Sequence, residues 1–143
     1  MESSSISDYV EKVTEPLVKS LSTPLPDENN PQAIKELKRL VGYAESQRAR
    51  LAVIKRRLDA LVEERRNELV EEYNKMHADD ARRVTKDVRD VYVKAMLSRE
   101  ISSQKYVEEL QDTLRGRVSL GQSFLKASNV EDNTISSSNL MIN

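Results

Sequence analysis

Arg48, Arg50, Lys55, Arg56 and Arg57 fall in a window, Arg48 to Leu58, that holds no acid. Cations spaced along a rod can neutralise successive phosphates and release their counterions, which binds a polyanion without choosing bases. On a helix, Arg48 and Lys55 share one edge at seven-residue spacing, and Arg50 and Arg57 share another. Arg82, Lys86 and Arg89 draw a second basic line at spacings of four and three. Together these residues are the candidate nucleic-acid-binding set. Tyr43, Tyr73, Tyr92 and Tyr106 could stack on bases, although a tyrosine beside an apolar seam is more often part of the core. The competing reading of the belt is a solvated helix face. Its arginine and lysine stems would then cover apolar surface, with Glu45, Asp59, Glu63 and Glu64 within pairing range.

Other chemistry has little to stand on. His77 is the single histidine and falls in an expected turn without a nucleophile beside it. The pairs Glu63-Glu64, Glu71-Glu72, Asp79-Asp80 and Glu108-Glu109 suggest divalent metal, but helical neighbours point about 100° apart and cannot converge on one ion. Gly42, Gly116 and Gly121 are too scattered to cradle a nucleotide. The absence of cysteine excludes disulfides and thiolate chemistry. We therefore expect no enzyme, no metal and no cofactor.

These side chains must be positioned by helices. With 33% charged residues, 4% aromatics and only three glycines, the 143-residue chain has the composition of long helices or coiled coils. A short helix over about Ser7 to Leu21 is interrupted by Pro16, giving either a kink or a start near Glu15. TPLPDENNP then forms a linker, and Asn30 followed by Pro31 is the signature of a helix start. Leu37, Leu40, Ala44, Leu51, Ile54, Leu58 and Leu61 recur at spacings of three and four with Gln47 as the polar member, a heptad-like seam. Beyond it the stripe slips to Val62, Leu69, Tyr73 and Met76. That helix would run ~65 Å.

A reversal is expected at Met76 to Arg83. A second long helix follows from Asp80 or Thr85 to Ala127, with Val84, Val88, Val91 or Tyr92, and Ala95 on one face, and Val107, Leu110, Leu114, Val118, Gly121 and Leu125 on another. Ser98, Ser102 and Ser103 offer a close-packing or polar notch between them. The fold class expected is thus all-α, a long antiparallel helical hairpin with a short N-terminal helix, oligomerising through coiled-coil-like packing of its seam. Its divisions would be an acidic helix and linker over 1–30, the hairpin over 31–127 and a mobile serine-rich tail over 128–143.

Charge follows the same divisions. Residues 1–32 carry a net −4 and the tail after Lys126 a net −2, leaving the body at +5 behind an overall charge of −1. No apolar run approaches the ~20 residues of a membrane span, and MESSSISDY lacks the features of a signal peptide. A cytoplasmic location without membrane attachment is expected.

At LAVIKRRLDALVEER the chain resembles the phage recombination mediators of the UvsY type, which carry a Lys-x-Arg-Leu-Asp stretch on a long helix; the matching residues are Lys55, Arg57, Leu58 and Asp59. TLRGRVSLGQSFLKAS is similar to that family's C-terminal helix in placement and in its small and basic residues. The likeness spans residues 40–127, and the acidic N-terminal helix, the proline linker and the lack of tryptophan depart from the pattern. The resemblance implies a homo-oligomer that binds single-stranded DNA without catalysis and helps load a RecA-like recombinase where a single-strand-binding protein already sits. Lys55 and Arg57 would touch the DNA, the C-terminal helix would serve oligomerisation, and a phage-encoded chain would act in the host cytoplasm. The alternative from another class is a structural or assembly coiled-coil protein, such as a virion component or adaptor, whose charges only keep it soluble.

Overall fold

A computed structural model describes residues 3–78 and 85–142 along the backbone, and side chains over 5–78 and 85–128. The described residues form four helices and no strand: α1 (Ser3–Leu21), α2 (Pro31–Met76), α3 (Lys86–Met96) and α4 (Ser98–Ile142). None of the helices is long and apolar enough, among the described residues, to cross a membrane.

Local chemistry explains where the helices begin. Asn30 Oδ1 accepts from the Ala33 amide at 2.9 Å, satisfying an otherwise orphaned donor, and Pro31 supplies a first residue with a suitable fixed φ. Thr85 does the same for α3, its Oγ1 accepting from the Val88 amide at 3.3 Å. Thr85 is one of the two expected starts for the second long helix; the other, Asp80, lies outside the described residues. After α2, His77 and Ala78 form a turn. Residues 79–84 of the expected reversal lie outside the described residues.

Two expectations differ from the structure. Pro16 sits inside a continuous α1 without splitting it. It is exposed, so the carbonyl deprived of a donor by the ring can turn to water. The second long helix is jointed at Leu97, whose backbone (φ −96°, ψ 10°) leaves the α region. Its amide is shared between the carbonyls of Val93 at 3.0 Å and Lys94 at 3.2 Å, and its own carbonyl accepts from Ile101 at 2.9 Å. The hydrogen-bond ladder therefore continues through the joint. Beyond Ala127, α4 carries on to Ile142.

The chain divides into two compact units, the first Met1–Pro16 with Leu51–Glu109 and the second Leu17–Arg50 with Leu110–Asn143. In the first, α2 and the returning helices are antiparallel: Lys55 meets Glu108, Asp59 meets Gln104, and Tyr73 meets Tyr92. Its core contains Ile6 and Val10 of α1, Leu51, Ile54, Leu58, Val62, Leu69 and Tyr73 of α2, and Val93, Leu97 and Val107. Leu69, Val93 and Leu97 cluster with Val70, Tyr92 and Ile101 around them. In the second unit, Leu37, Leu40, Val41 and Ala44 are buried, as are Leu17, Leu110, Leu114 and Val118. There too α2 and α4 oppose each other, Glu45 accepting from Gln122 at 3.1 Å.

The seam and its slip after Leu58 are thus present, with Val62, Leu69 and Tyr73 buried and Leu61 only half-buried. The physical surprise is what covers them. Burial of the seam is completed by the chain's own helices, at about 1.5–3 kcal/mol per large aliphatic side chain, so this edge is not left open for another subunit. Met76, at the end of the stripe, stays exposed.

Candidate nucleic-acid interface

In the first unit the basic residues divide into free and occupied. Lys55 is drawn inward: its Nζ donates to Asp59 Oδ1 at 2.7 Å and lies 3.1 Å from Glu108 Oε1 across the helix pair. Asp59 Oδ1 also accepts from Gln104 at 2.9 Å, so a small polar lattice binds α2 to α4. Partial burial pulls the Lys55 pKa down, but the hydrogen bonds and charges of Asp59 and Glu108 outweigh it and hold the ammonium above the usual lysine range. Its charge is spent inside the fold.

Arg56 and Arg57 remain exposed. Arg56 has no ion pair among the described residues, and Arg57 lays its guanidinium over the Tyr9 ring of α1, 5.4 Å from the centroid. A guanidinium over a ring face is attracted by the ring's quadrupole without its charge being neutralised by a carboxylate. Lys86 of the second basic line is exposed. Arg89 is half-buried, 3.9 Å from Asp90, with a buried Nε that lacks a hydrogen-bond partner. Arg82 lies outside the described residues.

The second unit carries Arg48 and Arg50. Both are exposed and neither is in an ion pair among the described residues. Elsewhere, cations are commonly held: Arg39 by Glu36, Arg65 by Glu68 and Glu72, Arg66 by Glu63, and Arg115 by Asp112. Lys94, Arg99 and Lys105 are likewise exposed and outside any ion pair among the described residues; what sets Arg48, Arg50 and Arg56 apart is that they lie within one stretch that holds no acid.

Of the tyrosines, Tyr73 is buried, its ring 4.3 Å from His77 and 5.1 Å from Tyr92 between centroids, so this trio is packing. Tyr43 and Tyr106 are exposed at the surface. Tyr106 borders a cleft of about 300 Å³ with Ser7, Val10, Glu11 and Ser103, whose one charged residue is acidic and does not favour an anion. No group of three or more carboxylate, histidine or cysteine side chains that could hold a metal occurs among the described residues.

Sequence reasoning missed Tyr9. It is half-buried on α1, and its contact with Arg57 joins α1 to the basic segment. Exposed Arg99 and Lys105 of α4 were missed too, and neither is in an ion pair among the described residues. No family model matches the chain, and neither a characterised protein nor a solved structure shows significant similarity to it.

Proposed function

We propose that the chain is a non-enzymatic single-stranded DNA-binding protein, working as a recombination mediator that helps load a RecA-like recombinase onto a strand occupied by a single-strand-binding protein. What supports the DNA-binding part is the clustering of unpaired guanidinium groups in one stretch, Arg48 to Leu58, that holds no acid. Arg48, Arg50 and Arg56 are exposed and outside any ion pair among the described residues, while Arg39, Lys55, Arg65, Arg66 and Arg115 are each held by a carboxylate. An unpaired guanidinium can displace a counterion from the phosphate backbone and offers it planar, fork-shaped donors. The loading role rests on the resemblance at Lys55, Arg57, Leu58 and Asp59. Within this reading Arg57 is the phosphate contact and Lys55 the strut that orients the segment. Homo-oligomerisation, also implied by the resemblance, belongs to the proposal, using surfaces other than the seam.

The test is anisotropy of a labelled single-stranded oligonucleotide across a salt series. Wild type should bind at low salt and release as salt rises. The variant Arg48→Ala/Arg50→Ala/Arg56→Ala/Arg57→Ala should lose most of that affinity while keeping its helical spectrum. Equal affinity in the variant, or no binding by wild type at low salt, would sink the reading and favour the structural-protein alternative. For the loading role, the measured quantity is nucleation of a RecA-like recombinase on a strand coated with single-strand-binding protein; no acceleration by the chain would leave DNA binding standing and remove mediation.

A further inference from the structure

The first unit leaves one apolar strip uncovered. Val93 and Leu97 face the core, and on the opposite side of α3 Val88 and Val91 are exposed at 56% and 70%, with exposed Ala95 continuing their line. Valine is a poor choice for a solvated helix face, since its branching restricts χ1 and its side chain adds only apolar surface. Periodicity alone places Val88, Val91 or Tyr92, and Ala95 on one face, and of these the structure packs Tyr92 against the core. The core itself goes to Val93 and Leu97, because these are the residues that meet Leu69 and Val70 of α2.

The flanks of the strip carry a charge pattern. Asp87 and Lys94, seven positions apart, lie on one edge of it, and neither is in an ion pair among the described residues. When the same helix runs antiparallel to itself, with Val88 layered on Val91 of the second copy, Asp87 of each copy comes beside Lys94 of the other. Symmetry makes the pair occur twice, as an isologous contact requires. A shift of one heptad step would set Lys94 against Lys94. A parallel arrangement would bring round the opposite edge, placing Asp87 against Tyr92 and giving Lys94 no acid on α3. The charges thus select one register and one direction.

We infer that α3 is a self-association surface, pairing antiparallel with α3 of a second copy about a two-fold axis between Val88 and Val91. The occupant is a second copy because the strip is complementary to itself in charge as well as in apolar content. Two exposed valines per chain bury far less than the ~1,200–2,000 Å² of a stable complex, so the dimer is a concentration-dependent one. The inference does not depend on nucleic acid, and its test contains none.

The chain has no cysteine, so introduced thiols report contact directly. Val88→Cys and Val91→Cys chains, distinguished by a mass tag, are mixed under oxidising glutathione. The mixed disulfide should form faster than either symmetric one; equal or slower formation overturns the register. Sedimentation of the full chain up to millimolar concentration gives the second readout. Asp87→Lys should weaken dimerisation on the order of tenfold, as like charges then face one another twice. Adding Lys94→Glu in the same chain should restore it, a rescue that misfolding cannot imitate. A monomer throughout the series, or a dimer indifferent to both charge changes, overturns the inference.

Discussion

Lys55 Nζ lies 3.1 Å from Glu108 Oε1, tying the middle of α2 to α4 inside the first unit. With Asp59 at 2.7 Å on its other side, the ammonium is clasped between two carboxylates and only partly open to water. A lysine whose folded pKa is raised contributes stability fully below its unfolded value, near 10.4, and loses it as pH climbs through the raised value. Urea unfolding of wild type and Lys55→Met should therefore differ by ~0.5–1 kcal/mol at neutral pH, the range for partly exposed pairs. The gap should close above about pH 10.4. A gap that widens there would mean that the pair is not what stabilises.

The same geometry separates roles within the basic belt. Removing one phosphate-binding cation should lower the slope of log affinity against log salt by about 0.7 for a single strand. We expect that reduction for Arg48→Ala, Arg50→Ala or Arg56→Ala taken singly. Lys55→Ala should change the slope less, because its charge is already matched. A larger effect at Lys55 than at Arg57 would reverse the assignment of strut and contact.

Gly121 and Gly116 make a matched pair of helical glycines on α4. A Cβ at Gly121 would collide with Val41 Cγ2, a methyl on a short, stiff and buried side chain, with Leu25 Cδ1 at 3.8 Å behind it. At Gly116 nothing lies within 4 Å. Gly121→Ala should cost about 1–3 kcal/mol by overpacking. Gly116→Ala should gain about 0.5–1 kcal/mol from helix propensity. Thermal unfolding compares the two directly, and the same sign at both positions would contradict the close approach of α2 and α4 at Val41.

Glu100 is fully buried, and neither of its carboxylate oxygens has a hydrogen-bond partner among the described residues. A polar group in that state stabilises nothing and loses its hydration. Glu100→Met, similar in length and apolar, should raise stability by about 1–3 kcal/mol in urea unfolding. A loss of stability would reveal that the carboxylate is satisfied by a partner when the chain is in solution.

Much of the scaffold was legible because it rests on short-range rules. Asn30 with Pro31 and the Thr85 cap depend only on residues a few positions away, and they fold as their types dictate. The seam and its slip at Val62 follow from spacing alone. Side selection was harder. The α3 segment contains two apolar stripes, Val88 with Val91 and Val93 with Leu97, and only the position of Leu69 on another helix decides between them. For Lys55 the local partner, Asp59, was within range in the sequence, but the second acid that clasps it, Glu108, is remote in sequence. Glu100 had left a trace: it occupies the core position between Leu97 and Val107 in the buried stripe, but a charge invites the assumption of exposure.

The antiparallel course of α2 against α3 and α4 also orders events during synthesis. Tyr73 and Tyr92 can meet early, whereas Asp59 waits for Gln104, 45 positions later, and Glu45 for Gln122, 77 positions later. Translation at ~5–20 residues per second leaves Leu37, Leu40 and Ala44 without their cover for several seconds. A nascent chain in that interval offers a greasy edge to chaperones, and a truncation ahead of Leu114 would leave that edge permanently bare.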